Sequence, residues 1–126
     1  MAASHWKLDN LTAILDRNGL QIDGPTEQIM SLGEIPKRWR AFGWHVIEID
    51  GHDHNEILRA LHEAGRVKDH PTLILARTVK GKGVSFMEGS LSFHGRAPNK
   101  EEYAKAMQEL DDLIERARTM MGAIAS

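Results

Sequence analysis

The 126-residue chain has no cysteine. A disulfide framework and a thiolate zinc site are therefore both excluded. It also has no apolar run approaching the roughly 18 residues that a membrane helix needs, and no signal peptide opens it. Neither an internal repeat nor a low-complexity tract is present. The formal net charge of -2 gives no nucleic-acid footprint, although a local basic patch is compatible with it. What remains is a 41% apolar, 27% charged composition, that of a soluble globular protein, with an intracellular, cytoplasmic setting as the expectation. The length suits one domain or a piece of one.

The stretch that organises the rest is Leu11 to Gly24. It starts as a continuous apolar run, Leu11-Thr12-Ala13-Ile14-Leu15, of the kind shown by a parallel strand buried on both faces. The run stops in Asp16, Arg17, Asn18 and Gly19. In an open α/β sheet, ligands bind outside the carboxyl ends of the strands. An Asn amide oxygen with a backbone carbonyl two residues on suits a hard cation such as Mg²⁺, which also takes oxygens from water and phosphate. The same Asp-x-Asn-Gly is also an ordinary turn, because Asn and Gly tolerate positive φ. From these residues alone the plain turn is the simpler reading.

Around this stretch the chain alternates. Ala2 to Trp6 reads as the end of a helix, and Gln21 to Ser31 as loop with a short helical turn after Pro25. Glu34 to Phe42 predicts an amphipathic helix with Ile35, Trp39 and Phe42 on its apolar side and Gly43 closing it. Trp44 to Asp50 predicts a second strand. His54 to Gly65 predicts a second helix with Asp53 as N-cap and a stripe of Ile57, Leu58, Leu61 and Ala64. Pro71 to Val79 predicts a third strand, followed by an irregular segment to about Asn99. A last helix then runs to about Gly122, with Tyr103, Met107, Leu110, Leu113, Ile114 and Ala117 on one side as core or interface. The pattern is α/β, with parallel strands and right-handed crossovers: about three strands and three helices. A parallel sheet needs both faces covered and its edges protected. Three strands are too few, which predicts part of a doubly wound sheet whose other half precedes Met1 or comes from another chain.

Candidate chemistry is sparse. His52-Asp53-His54 has a His-x-His spacing, but no third zinc ligand stands at a sensible distance. His45, His62 and His70 read as solvated or capping residues. His94 lies in Ser90-Leu91-Ser92-Phe93-His94-Gly95, within the long loop after a strand, and a functional and a structural role are open to it alike. Lys80-Gly81-Lys82-Gly83 reads either as an anion-binding turn or as a flexible basic one, and fits neither the Walker A nor the G-x-G-x-x-G pattern.

Taken together, Lys7-Leu8-Asp9-Asn10-Leu11, Asp16 through Gly24, Gly51-His52-Asp53, and Gly89-Ser90 with His94-Gly95-Arg96-Ala97-Pro98 resemble the transketolases. The resemblance is closest to the amino-terminal, diphosphate-binding subunit of the split bacterial type. It extends from about Ala2 to Leu110 in order and spacing. The Ser-Phe-His-Gly-Arg-Ala-Pro context favours transketolase over a deoxyxylulose-phosphate synthase.

The resemblance implies a thiamine diphosphate-binding fold and an enzyme that moves a two-carbon ketol unit from a ketose phosphate to an aldose phosphate. By the same resemblance the family's Mg²⁺-binding Asn falls on Asn18 and its carbonyl ligand on Leu20, with Ca²⁺ able to stand in for Mg²⁺. The apolar residue near the thiazolium falls on Val79, and the histidine of the diphosphate and substrate region, catalytic as well as cofactor-binding, on His94. The family's Gly-Asp-Gly-Glu segment, its upstream histidines, and the glutamate that activates the aminopyrimidine have no counterpart here. The expectation is accordingly that residues 1–126 form the second half of one diphosphate-binding domain. Its expected partners are a carboxy-terminal transketolase subunit, an amino-terminal half and sugar phosphates, in a homo-oligomer. The alternative is a non-catalytic α/β fragment serving as an interaction or assembly module.

Overall fold

A computed structural model describes residues 1–124. The expected domain extends two residues further, outside the described residues. After a short helix α1 (Ala2–His5), strand β1 (Thr12–Arg17) leads into a two-residue-by-two-residue ribbon, β2 (Leu20–Gln21) and β3 (Gly24–Pro25). Helices α2 (Thr26–Ile29) and α3 (Ile35–Ala41) precede β4 (His45–Asp50), and α4 (His54–Ala64) precedes β5 (Thr72–Arg77). A short 3₁₀ turn at Leu91–Phe93 and a long helix α5 (Lys100–Ile124) complete the order. The chain forms two compact units, Met1–Thr78 and Val79–Ser126.

The first unit is the expected α/β layer structure. Its sheet has the order β1-β5-β4 with both pairings parallel, Ile14 and Ile47 flanking Ile74 in register. β5 is last in sequence and central in space, and five of its six residues are buried. Alternate β5 residues point to opposite faces, and each face has its own helix. Leu73 and Leu75 pack with Ile35 of α3, Trp39 and Trp44. Ile74 and Ala76 pack with Ala60 and Ala64 of α4. The connection from β1 to β4 moves two places one way, and that from β4 to β5 moves one place back. Right-handed crossovers put helices on opposite faces when the direction reverses, which is why α3 and α4 sandwich the sheet.

Three expectations change. The run Leu11 to Leu15 is not buried on both faces: β1 is an edge strand with alternating exposure, and Ile14 is 65% exposed. The strand buried on both faces is β5. On α4 the stripe is narrower than expected, since the small residues Ala60 and Ala64 make the close contact while Leu58 and Leu61 stay exposed. Phe42 lies outside the α3 contact and is exposed, although the left-handed Gly43 does follow the helix at φ 80°. Helix α1 falls on the helix end expected at Ala2 to Trp6 and α2 on the turn expected after Pro25, while the β2–β3 ribbon adds to the expected three strands.

The second unit is built on α5. Asn99 caps it reciprocally: the Glu102 N–H donates to Asn99 Oδ1 at 2.9 Å and the Asn99 N–H donates to Glu102 Oε2 at 2.8 Å. Ser85 donates to the Glu109 carboxylate from both its N–H, at 2.6 Å, and its hydroxyl, at 2.7 Å. Those bonds hold the Glu109 carboxyl below its usual range. Val84 and Ala106 are the buried apolar residues among the described residues of this unit. No helix among the described residues is long and apolar enough to cross a membrane.

Candidate functional site

Strands of a parallel sheet end together, so Arg17, Asp50 and Arg77 are register neighbours at one edge of the first unit. Gly51 follows β4 there, and its N–H donates to the Arg77 carbonyl at 2.8 Å. A Cβ at Gly51 would lie 2.5 Å from Thr78 Cγ2, so glycine is what lets the two strand ends approach. The Thr78 hydroxyl donates to the Asp16 carboxylate, joining the ends of β5 and β1. Sequence inspection gives no sign of that bond, because its partners are 62 residues apart.

Asn18 sits one residue past β1. Its side-chain oxygen accepts the Leu20 N–H at 2.9 Å, a turn in which an Asn side chain replaces a backbone acceptor. The Thr26 N–H donates to the Gly19 carbonyl at 2.9 Å, so Gly19 and Thr26 form a bonded pair that continues the β2–β3 ribbon. In an antiparallel ladder the next pair, Leu20 opposite Pro25, is then a non-bonded one. Pro25 has no N–H to donate, and the Leu20 carbonyl is directed out of the ribbon. The result is two oxygens, the amide oxygen of Asn18 with its second lone pair and the backbone carbonyl of Leu20, carried by one turn at the carboxyl end of a strand. Arg17 fastens the turn from behind by donating to Thr26 Oγ1 at 2.8 Å and to the Glu27 carboxylate. The Ser31 hydroxyl and the Arg17 guanidinium lower the Glu27 pKa.

The donors suit a hard cation that takes its remaining ligands from phosphate and water. They are too few to form a cage by themselves. No group of three or more His, Asp or Glu able to hold a metal exists among the described residues, and this removes the zinc reading of His52 and His54.

The other two expected site residues belong to the second unit. Val79 opens it and its carbonyl accepts the Lys82 N–H at 3.2 Å; its side chain is 40% exposed. His94 ends the 3₁₀ turn, with its N–H donated to the Leu91 carbonyl at 3.0 Å and its ring exposed. Residues on either side of His94 are pinned. Phe93 stacks edge-on against Phe86 with centroids 5.7 Å apart, and the Arg96 guanidinium lies 4.1 Å from the Phe93 centroid. Arg96 in turn makes a two-pronged ion pair with Glu102, both contacts at 2.7 Å. That pair, with the Asn99 N–H, holds Glu102 down at a pKa of about 2. Asn18 and Leu20 are thus brought together by a hydrogen bond, whereas Val79 and His94 are positioned separately on the second unit.

The Lys80-Gly81-Lys82-Gly83 turn already holds an internal anion. The Glu88 carboxylate accepts the Gly83 N–H at 3.0 Å and faces Lys82 Nζ at 3.5 Å. A wider cleft of about 440 Å³ collects Arg17, Lys37, Arg40 and Arg77, but each of those cations faces a carboxylate. His45 and His70 are anchors, His45 to Glu63 at 2.8 Å and His70 to the Gly43 carbonyl at 3.1 Å.

The sequence profile of the family described as transketolase, thiamine diphosphate binding domain, matches residues 1–112. The chain belongs to that family. An apulose-4-phosphate transketolase subunit of Phocaeicola vulgatus is 45% identical over 116 residues, which are 92% of this chain and 41% of that protein. Human transketolase is 38% identical over 119 residues, 94% of this chain and 19% of that protein. The crystal structure of Campylobacter jejuni transketolase superposes with a TM-score of 0.81 at 34% identity, covering 87% of this chain and 17% of that one. The chain therefore spans less than half of the transketolases it matches, and its strands and helices are those of a thiamine diphosphate-binding domain.

Proposed function

We propose that the chain supplies part of the diphosphate-binding half of a transketolase of the split bacterial type. The observation that carries this is the Asn18 turn. In a chain of this family, at the carboxyl end of a parallel strand, it offers an amide oxygen and an outward-directed backbone carbonyl together. Asn18 and Leu20 would hold Mg²⁺, or Ca²⁺ in its place, whose charge would balance that of the cofactor diphosphate. When bound, thiamine diphosphate supplies a thiazolium carbanion as the nucleophile for moving a two-carbon ketol unit between sugar phosphates. Val79 gives that ring an apolar neighbour. His94, exposed between the pinned Phe93 and Arg96, contacts the diphosphate and the sugar and is the catalytic residue this chain contributes.

The chain spans less than half of the transketolases it matches, and other polypeptides would finish the site. An amino-terminal half supplies the remaining metal ligand, and a carboxy-terminal subunit supplies the pyrimidine-binding side. The setting is a cytoplasmic oligomer, in which residues 1–126 act as one portion of the diphosphate-binding domain. The uncovered face of β1 supports this reading. There Ile14, Ile57, Leu61 and Ile74 line an open cleft of about 210 Å³ next to Asp16 and Thr78, where a further layer of the domain packs.

Calorimetric titration of thiamine diphosphate with Mg²⁺ into the chain, alone and with the completing segments, tests the proposal. Binding that Asn18→Ala abolishes supports it, as does ketol transfer that appears only on mixing. Binding indifferent to Asn18→Ala would overturn the metal assignment. Turnover by the pure chain at an ordinary rate would overturn the dependence on partners.

A further inference from the structure

His94 leads out of its 3₁₀ turn into a stretch with little backbone support. Its N–H is bonded to the Leu91 carbonyl, but from Gly95 to Pro98 no backbone-to-backbone bond is made among the described residues. Residues 94–98 are all exposed. Such a stretch moves unless side chains tie it down. Two side chains do so, one on each side of His94. Phe93 lies edge-on against Phe86, and the Arg96 guanidinium covers Phe93 at 4.1 Å from its centroid. Arg96 is itself gripped by Glu102, with Nη1 and Nη2 each 2.7 Å from a carboxylate oxygen. Glu102 also accepts the Asn99 N–H at 2.8 Å, so the same carboxylate belongs to the cap of α5.

We infer that Glu102 is a positioning residue for His94, acting through Arg96 and Phe93. The inference rests on the role proposed above for His94 at the cofactor diphosphate. The His94 ring has no hydrogen-bond partner among the described residues, so its backbone sets where the imidazole stands. An isolated ion pair at an exposed position would hold that backbone weakly. Here the pair is two-pronged, and one guanidinium serves both Glu102 and Phe93, so the contacts support one another. Both prongs of Arg96 face the carboxylate, which makes the arginine a fastening and leaves the imidazole as the free polar group of the stretch. The helix cap, the ion pair and the aromatic contact therefore form one chain from α5 to the residue before His94.

Nuclear relaxation measurements on the full chain without cofactor test the tie directly. The His94 and Gly95 amides of the parent are expected to be as ordered as those of α5, with order parameters of about 0.85. Glu102→Gln keeps the cap without the charge, and Arg96→Lys keeps the charge without the planar fork. In both, the two amides should fall below about 0.6 while α5 stays as it was. Glu115→Gln, which breaks the ion pair with Arg118 on the same helix, should leave them unchanged. The second readout is affinity for thiamine diphosphate with Mg²⁺, by calorimetry of the chain assembled with its completing segments. Glu102→Gln should weaken it by about threefold to tenfold, and should add nothing in a protein that already carries His94→Ala. A residue of purely structural importance would add its loss to that of His94→Ala. Order at His94 that survives both variants overturns the inference, and so do additive losses of affinity. An affinity indifferent to His94→Ala would instead overturn the role proposed for His94, and the order parameters alone would then decide whether Glu102 holds it in place.

Discussion

The Leu20 N–H donates to the Asn18 side-chain oxygen at 2.9 Å, within the turn on which both proposed metal donors stand. Measured without metal or cofactor, the loss of this bond is read apart from the loss of the metal ligand. Asn18→Ala loses both, while Asn18→Asp keeps an acceptor in place. A half-buried neutral hydrogen bond contributes about 1 kcal/mol. Asn18→Ala is therefore expected to lower the unfolding free energy by about that amount, and Asn18→Asp by clearly less. Urea titration of the three proteins without cofactor measures it. Equal stability in all three would mean that the β2–β3 ribbon holds the turn unaided.

Acid reaches the second unit through Glu102. Its carboxyl is lowered from 4.5 to about 2, chiefly by the Arg96 guanidinium and then by the Asn99 N–H. A group whose folded pKa is depressed binds its proton more readily in the unfolded chain, so its contribution is complete above about 4.5 and is lost as pH falls towards 2. Glu102→Gln is a suitable control because glutamine preserves the reciprocal cap and removes only the ion pair. The parent should be the more stable of the two at pH 7, with the difference closing between pH 4.5 and pH 2. Thermal unfolding at four or five pH values checks this. A difference that does not vary with pH would deny the Arg96–Glu102 pair its role.

Thr72 is fully buried, and its hydroxyl has no hydrogen-bond partner among the described residues. Burying an unpaired hydroxyl costs about 1–3 kcal/mol in proteins. Thr72→Val keeps the branched shape that the central strand packs around and discards the unpaired oxygen. It is expected to raise the unfolding free energy by about 1 kcal/mol in urea titration. Leu73→Ala in the next position serves as the reference for a cavity in the same strand, with an expected loss of about 2–5 kcal/mol.

Gly81 is constrained by its backbone. Its φ is 73°, and a Cβ there would run into the Met87 carbonyl. Both the conformation and the space exclude a side chain, so Gly81→Ala is expected to destabilise by more than about 1 kcal/mol. Gly95 has no left-handed φ, and a Cβ there would meet nothing within 4 Å. It should accept alanine within about 0.5 kcal/mol. Denaturant midpoints of the two variants make the comparison.

What is legible in the sequence is whatever local chemistry decides. Asp53 does cap α4, accepting the Asn55 N–H at 2.8 Å, and Thr72–Arg77 reads as a strand because its buried positions carry only apolar residues and one threonine. The edge position of β1 is not legible, since Leu11 to Leu15 is as apolar as a central strand. Its neighbours are set by crossovers from residues far along the chain. The β2–β3 ribbon escapes sequence reading because two residues per strand give no periodicity and because proline and glycine read as loop. Asn18 and His94 stand out only through resemblance: each is a polar residue in a turn, and residues alone leave such turns ambiguous.

The exposed edge strand gives the last test. Ile14 is 65% exposed in this chain, and Ile14→Ser should change its stability by no more than about 0.5 kcal/mol, as an open surface position does. Were the uncovered face of β1 the seat of a further transketolase segment, the same side chain would be buried in the assembled protein, and burying an isoleucine is worth about 1.5–3 kcal/mol. Ile14→Ser should then weaken association with the completing segment by about tenfold to a hundredfold, because each 1.4 kcal/mol is a factor of about ten. Leu58→Ser is the control: it is 66% exposed on α4 and does not line the cleft. A titration in which Ile14→Ser and Leu58→Ser bind alike would move the partner away from β1. A stability loss in Ile14→Ser alone would mean that the face is covered within the chain itself.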